Sequence, residues 1–217
     1  MTPKDLKKEV AKVVLNYIQD RIIIGVGTGS TVNYFIDQLA SIKARIEACV
    51  ASSLATEKSL RALGLPIVDL NYCQELPLYI DSADEVNKQR QMIKGGGGAL
   101  TKEKIIASAA AEFIVIVDES KLVKRLGTFP LAVEVLPMAR SFVARELVKM
   151  GGAPVYRQGV ETDNGNIILD VHNLEINSPM TLETQIKMIP GVVESGLFAK
   201  RTADQVLIAT QNEVIKL

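Results

Sequence analysis

The stretch Ile22-Ile23-Ile24-Gly25-Val26-Gly27-Thr28-Gly29-Ser30-Thr31 decides the fold class. Its first five residues are rich in β-branched side chains and read as a strand. Glycines then recur at alternate positions, where a backbone can turn sharply or approach a neighbour closely. Val32 to Ala40 follows with apolar residues at helical spacing, and Ser30 or Thr31 is the expected N-cap. Strand, glycine turn and helix in this order make one unit of an α/β fold. The helix start offers N–H groups and a positive dipole end that suit a phosphate. No Lys precedes Ser30-Thr31, so this is not a Walker-type loop. The G-x-G-x-G spacing, with Glu47 at the start of the next strand, does not match the dinucleotide fingerprint either. Taken alone, the segment is either a phosphate loop or a plain capped turn.

The same rhythm continues outward. Before it, Leu6, Val10, Val13, Val14, Tyr17 and Ile18 recur at helical spacing and predict an amphipathic helix. After it, Ile46–Val50 reads as a strand and Thr56–Leu63 as a helix stopped by Gly64. Pro66–Leu70 and Leu78–Ile80 read as short strands, Thr101–Glu112 as an Ala-rich helix, and Phe113–Val117 as a buried strand. Continuous apolar strands alternating with helices predict a Rossmann-like parallel sheet with helices on both faces.

The rhythm changes after Pro130. Leu131–Leu136 is a strand, and Pro137 precedes a helix with Ala139, Phe142, Val143 and Leu147 on its apolar face. Val155–Gln158 and Ile167–Val171 form hairpin strands, with a turn at Asp163-Asn164-Gly165. Ser178-Pro179 opens another helix, and Val192–Leu197 is a further strand. This β-α-β-β-α-β order predicts a smaller α+β domain of ferredoxin-like type. The expected division is 1–129 with 203–217 for the sheet domain and 130–202 for the smaller one. Gln205–Thr210 and Glu213–Leu217 supply strands that return to the first sheet.

Composition removes several classes of function. The chain has 217 residues, with 25 Lys and Arg against 25 Asp and Glu. Zero formal net charge argues against nucleic-acid binding, which needs a basic face. Two cysteines, Cys49 and Cys73, cannot build a disulfide framework. With one histidine, His172, they do not make the usual four-ligand zinc site. His172 has no nucleophile motif to serve in a hydrolase, and reads as a structural or interface residue. The charges among residues 1–19 interrupt any signal-peptide core, and no apolar run approaches the roughly 20 residues of a membrane span. A cytoplasmic protein is expected, with no membrane partner. Catalysis would then rest on carboxylates, lysines and backbone amides, without a metal or cofactor.

Two further segments carry chemistry. Asp81-Ser82-Ala83-Asp84-Glu85 directly follows a strand, at the end where α/β folds place their ligand crevice. The two Asp could grip one sugar, or could merely form an acidic turn. Lys94-Gly95-Gly96-Gly97-Gly98 has a high entropic cost of ordering, and its consecutive N–H groups could form an anion nest. Glu103 lies in the first turn of the following helix, either as dipole stabilisation or as a general base. Lys121 follows another strand end. Phosphate-binding glycines, two Asp, a Lys and a candidate base at strand ends fit a small phosphorylated polyol better than a nucleotide.

These residues resemble the ribose-5-phosphate isomerases of the A type over nearly the whole chain. The matching motifs are Gly25–Thr31, Asp81-x-Ala83-Asp84-Glu85, Lys94-Gly95-Gly96-Gly97 with Ala99-Leu100-Thr101, and Glu103-Lys104-Ile105. Val133-Glu134-Val135-x-Pro137-Met138-Ala139 is similar too, as is Thr162-Asp163-Asn164-Gly165-Asn166 with Leu169-Asp170. The resemblance implies a metal-independent aldose–ketose isomerase of ribose 5-phosphate and ribulose 5-phosphate in the non-oxidative pentose phosphate pathway, working through a cis-enediolate. It implies Glu103 as the base between C1 and C2, and Asp81 in ring opening and hydroxyl proton transfer. It implies Asp84 and Lys94 on the reacting oxygens, with Ser82, Ala83, Gly95, Gly96 and Gly97 lining the sugar. Thr28, Gly29, Ser30 and Thr31 would take the phosphate side, with Lys7 and Lys121 as further substrate contacts. A homodimer is implied as well. Ser82 departs from the family, which usually has Gly there; a positive φ at that position would make Ser costly.

Two other readings use the same elements. A related amino-sugar phosphate deaminase would need a catalytic His, and His172 lies outside the strand-end cluster. A sugar-phosphate sensor domain of a transcription regulator would need a DNA-reading segment before the sheet, where only about 20 residues stand.

Overall fold

The computed structural model describes residues 1–217. Its first elements are α1 (Pro3–Val13), β1 (Ile22–Val26), α2 (Ser30–Leu39), β2 (Ile46–Ala51), α3 (Leu54–Ala62) and β3 (Leu76–Asp81). Then come β4 (Glu85–Val86), β5 (Met92–Ile93), α4 (Leu100–Ala109), β6 (Ala110–Asp118), β7 (Leu131–Val135), α5 (Arg140–Lys149) and β8 (Ala153–Tyr156). The chain ends with β9 (Ile167–His172), α6 (Pro179–Lys187), β10 (Val192–Ser195), β11 (Leu197–Phe198), β12 (Gln205–Ala209) and β13 (Val214–Lys216). They form two compact units. The first is Met1–Ala83, Lys102–Lys121 and Ala203–Leu217; the second is Asp84–Thr101 and Leu122–Thr202.

The first unit holds a six-stranded sheet of order β13-β12-β6-β3-β1-β2. All neighbours from β2 to β12 are parallel, and β13 closes the edge antiparallel. Strand periodicity assigns the faces. Ile24 and Val26 of β1, Leu78 and Ile80 of β3, and Ile114 and Ile116 of β6 share a buried cluster with Leu6 and Val10 of α1 and Phe35 and Leu39 of α2. The alternate residues, Gly25 of β1, Tyr79 of β3, and Phe113 and Val115 of β6, point to the other face. From β1 the chain steps to β2 on one side, then crosses to β3 on the other. The carboxyl ends of β1 and β3 therefore flank a topological switch point, where α/β sheets open a crevice.

The second unit holds an antiparallel four-stranded sheet of order β10-β7-β9-β8. With α5 and α6 this is the expected ferredoxin-like arrangement. Val133, Val135, Leu169 and Val171 pack with Val143 and Leu147 of α5 and Leu182 and Ile186 of α6. A small sheet of order β11-β5-β4 completes the unit.

The structure departs from the sequence-based expectations in five places. The smaller unit is not 130–202 alone, because β4 and β5 pair with each other and β5 pairs with β11. The buried Glu85 carboxylate also accepts the Gly127 and Phe129 N–H groups at 2.8 and 2.6 Å, tying that loop to β4. The Ala-rich helix stops at Ala109, and Ala110–Glu112 open β6 by pairing with Leu76 and Leu78 of β3. Helix propensity differs by only a few tenths of a kcal/mol among most residues, and sheet pairing overrides it. Pro66–Leu70 is not a strand; it makes a single bridge, Cys49 to Ile67. The expected strand Val192–Leu197 divides into β10 and β11. The fifth departure, the cap of α2, belongs to the site.

Candidate active site

On the face opposite α1 and α2, Gly25 and Tyr79 stand side by side in register. A Cβ on Gly25 would lie 2.6 Å from the Tyr79 ring and 2.9 Å from Ile106 of α4. A Cβ on Gly27 would lie 2.0 Å from Asp81 Oδ1. The first two glycines of the loop therefore make room for Tyr79 and Asp81, not for a ligand. Only Gly29, at φ 131° and ψ 170°, adopts a backbone that favours glycine, and it is Gly29, not Ser30 or Thr31, that caps α2.

Asp81 is fully buried at the end of β3. Its Oδ1 accepts the N–H groups of Thr28 and Ser82 at 3.1 and 2.7 Å, and its Oδ2 accepts the Tyr79 hydroxyl. Burial, with the charges of Asp81 and then Glu103 beside it, holds the Tyr79 phenol well above the ordinary tyrosine range. Tyr79 thus stays protonated and remains a donor to Asp81. Its ring stacks on Phe113, with centroids 5.0 Å apart.

Glu103 is 4% exposed in the first turn of α4. Ile106 lies on the same helix face three residues on. The close approach of Ile106 over Gly25 brings that face down onto the strand carrying the loop. Glu103 and Asp81 thereby both act electrostatically on Tyr79. The geometry brings two buried carboxylates together around one neutral phenol.

The residues expected on the phosphate side gather at the start of α2. Ser30 and Thr31 occupy its first turn, whose N–H groups have no carbonyl within the helix to accept them. Lys7 of α1 donates through Nζ to Ser30 Oγ at 2.9 Å. Thr28 turns its hydroxyl into a cluster with Ser52 Oγ at 2.7 Å, Ser53 Oγ at 2.9 Å and Thr56 Oγ1 at 3.1 Å. Thr56 in turn donates to the Gly27 carbonyl at 2.7 Å. The loop is thus tied to the end of β2 by hydroxyls. Lys121 ends the short turn Glu119–Lys121 after β6.

Asp84, Lys94 and the glycine run Gly95–Gly98 belong to the second unit. Asp84 N–H donates to the Ile93 carbonyl at 2.9 Å, and its Oδ2 accepts the Gly96 N–H at 2.8 Å. Lys94 is 2% exposed, and its Nζ lies 5.7 Å from the Phe198 ring centroid. Its N–H donates to the Gly196 carbonyl at 2.8 Å. Gly96 and Gly97 are exposed, whereas Gly95 is buried.

Sequence reasoning missed Tyr79, because a tyrosine inside an apolar strand reads as core. It also missed Ser52, Ser53 and Thr56, although the strand-end rule that singled out Asp81 applies equally to the end of β2. A cavity of about 390 Å³ lies elsewhere in the first unit, lined by Arg61, Ile67, Asp69, Lys102 and Ile105 among others, and it includes none of the expected site residues. No three His, Cys, Asp or Glu side chains are placed to hold a metal ion. His172 is exposed at the end of β9, and burial pushes the Cys49 thiol up to about 12.

Ser82 has none of the strain that a positive φ would impose; the non-glycine residues with positive φ are Arg21, Arg90 and Asn173. Ser82→Gly is accordingly expected to keep kcat/KM within about twofold, the range of a surface change near 0.5 kcal/mol. A tenfold drop in a steady-state assay would instead give the Ser82 hydroxyl a role on the sugar.

Comparison with known proteins shows the family. Residues 48–213 match the family model of ribose 5-phosphate isomerase A (phosphoriboisomerase A). A ribose-5-phosphate isomerase A of Legionella pneumophila is 64% identical over 213 residues, covering 98% of this chain and 99% of that protein. The solved ribose 5 phosphate isomerase A of Neisseria gonorrhoeae superposes with a TM-score of 0.98 at 45% identity, covering 100% of this chain and 97% of that one. A D-ribose-5-phosphate isomerase solved in complex with phospho-erythronic acid superposes with a TM-score of 0.95 at 38% identity, covering 100% and 99%.

Proposed function

The chain belongs to the ribose 5-phosphate isomerase A family and interconverts ribose 5-phosphate and ribulose 5-phosphate, and we propose that Glu103 is the base that moves the proton between C1 and C2. Ribose 5-phosphate presents its open-chain aldehyde at C1 and an acidic proton on C2. The Glu103 carboxylate takes that proton, and the electron pair flows into a C1–C2 double bond and onto the carbonyl oxygen. The cis-enediolate so formed receives the proton back from Glu103 at C1, while a hydroxyl proton passes between O2 and O1. Asp81 handles that hydroxyl proton and opens the sugar ring. Asp84 and Lys94 hold the two reacting oxygens, Asp84 by accepting a hydroxyl hydrogen and Lys94 as the donor, and one donor aimed at such developing charge is worth about 10²–10³ in rate. The start of α2, with Ser30, Thr31 and Lys7, takes the phosphate, and Lys121 is a further substrate contact. The observation that carries this assignment is the burial of Glu103 and Asp81 around the un-ionised Tyr79, at the end of the sheet where the loops open.

The steps move one proton between carbons and one between oxygens, and need no redox or Lewis-acid partner. Activity measured as ribulose 5-phosphate formation is expected to be unchanged after dialysis against EDTA. Loss of activity that a divalent metal restores would overturn the metal-free mechanism. No ribulose 5-phosphate formation at all would overturn the function itself. A homodimer and a cytoplasmic location complete the proposal. Light scattering should give twice the mass of the chain, and a monomer would remove the dimer from it.

A further inference from the structure

We propose that Arg157, held by Asp170, is a positioning residue that sets the backbone direction of the glycine run Gly95–Gly98, and through it the placement of Asp84. Arg157 Nη1 donates to the carbonyls of Gly95 and Gly96 at 3.0 and 3.2 Å. Its other face donates to Asp170, Nε to Oδ2 at 2.8 Å and Nη2 to Oδ1 at 2.5 Å. The two side chains are only 17% and 18% exposed. A fork bonded on both sides in this way has one orientation, which a lysine cannot reproduce.

The frame beneath the fork is rigid. Asp170 sits in β9 opposite Val155 of β8, and Arg157 follows β8 with its N–H on the Ile168 carbonyl at 3.0 Å. The glycines have one bond of their own, from the Gly98 N–H to the Gly95 carbonyl at 3.0 Å, and a backbone otherwise freer than that of any other residue. In a trans peptide the carbonyl and the next N–H point in opposite directions. Pinning the Gly95 carbonyl on Arg157 turns the Gly96 N–H the other way, onto Asp84 Oδ2 at 2.8 Å. Pinning the Gly96 carbonyl turns the Gly97 N–H away from Arg157 likewise. One guanidinium therefore shares the Gly95 carbonyl with the Gly98 N–H and adds the hold on the Gly96 carbonyl, fixing two consecutive glycine peptides, one of which holds Asp84.

The inference rests on the isomerase reading for its effect on rate, but not for its effect on the loop. Arg157→Met should lower kcat by roughly 10²-fold, the cost of about 1 Å of misplacement, with KM for ribose 5-phosphate changed less than threefold. Arg157→Lys should recover less than a tenth of the loss, because charge without the fork cannot hold two carbonyls and a carboxylate. Added guanidinium ion should restore part of the activity of Arg157→Ala, which a merely structural role would not allow. Amide hydrogen exchange at Gly96 and Gly97 should speed up at least tenfold in Arg157→Lys, a variant that retains the charge and folds if the methionine variant does not. Wild-type exchange rates at these amides in Arg157→Lys would overturn the proposal whatever the activity. So would a kcat of Arg157→Met within twofold of the wild type. An inactive wild type with faster loop exchange in the variants would sink the isomerase reading and leave the hold on the loop standing.

Discussion

Glu103→Gln is expected to lower kcat by at least 10³-fold while leaving the melting temperature and the binding of ribose 5-phosphate nearly unchanged. General-base catalysis contributes about 10²–10⁴-fold, and the upper part of that range applies where no second base can substitute. The other buried carboxylate beside Tyr79, Asp81, is held in place by the Thr28 and Ser82 N–H groups and the Tyr79 hydroxyl, and its assigned work is on the hydroxyl proton, not the C2 proton. Glutamine keeps the volume of glutamate, so α4 still packs through Ile106 over Gly25. The amide cannot accept the C2 proton at any working pH. Steady-state kinetics with ribose 5-phosphate checks the rate, and calorimetric titration of the inactive variant with ribose 5-phosphate checks the binding. Turnover near the wild-type level would end the assignment of Glu103. Lost binding together with lost turnover would mean that the side chain holds the substrate more than it reacts with it.

The glycine loop was legible because strand, turn and helix each leave a separate mark: β-branched residues, Gly, then helical periodicity. Its chemistry was only half legible. Gly25, Gly27 and Gly29 look alike in sequence, yet two make room for side chains of β3 and one caps a helix. That distinction needs the register of β1 against β3, which joins residues more than 50 positions apart. The smaller unit was legible in its β-α-β-β-α-β core, where alternation and turn residues are strong. Its full extent was not. Strands β4 and β5 are two residues each, too short for any period, and β5 finds its partner β11 about 100 residues later. Glu103 and Asp81 were found as candidates from their place after glycine-rich or apolar segments. Tyr79 and Arg157 left no such mark, because their roles come from what the fold packs against them.

Glu134→Ala is expected to destabilise the protein more than any other single change discussed. The Glu134 carboxylate lies in β7 with no exposed surface. Its Oε1 accepts Thr162 Oγ1 at 2.8 Å, Asn164 Nδ2 at 3.0 Å and Asn166 Nδ2 at 2.8 Å. Its Oε2 accepts the Thr101 hydroxyl. The loop Thr162-Asp163-Asn164-Gly165-Asn166 is thus folded around a buried charge, which accounts for its polar composition. Such a carboxylate contributes little net stability when fully bonded, since desolvation offsets its hydrogen bonds. Removing it is another matter, because donors from four residues lose their acceptor, and those of Thr162 and Asn166 stay buried. The loss should be about 3–5 kcal/mol, or roughly 6–20 °C in melting temperature for a chain of this size. Glu134→Gln should fall between, because its amide oxygen can serve some donors while its NH₂ faces the others. The same change should reach catalysis, because Thr101 lies two residues before Glu103 on α4. A fall in kcat at temperatures where Glu134→Gln is still folded would join the two effects, and calorimetry beside steady-state kinetics separates them. A melting temperature of Glu134→Ala within 2 °C of the wild type would mean that water replaces the carboxylate at little cost, and that the loop does not depend on its charge.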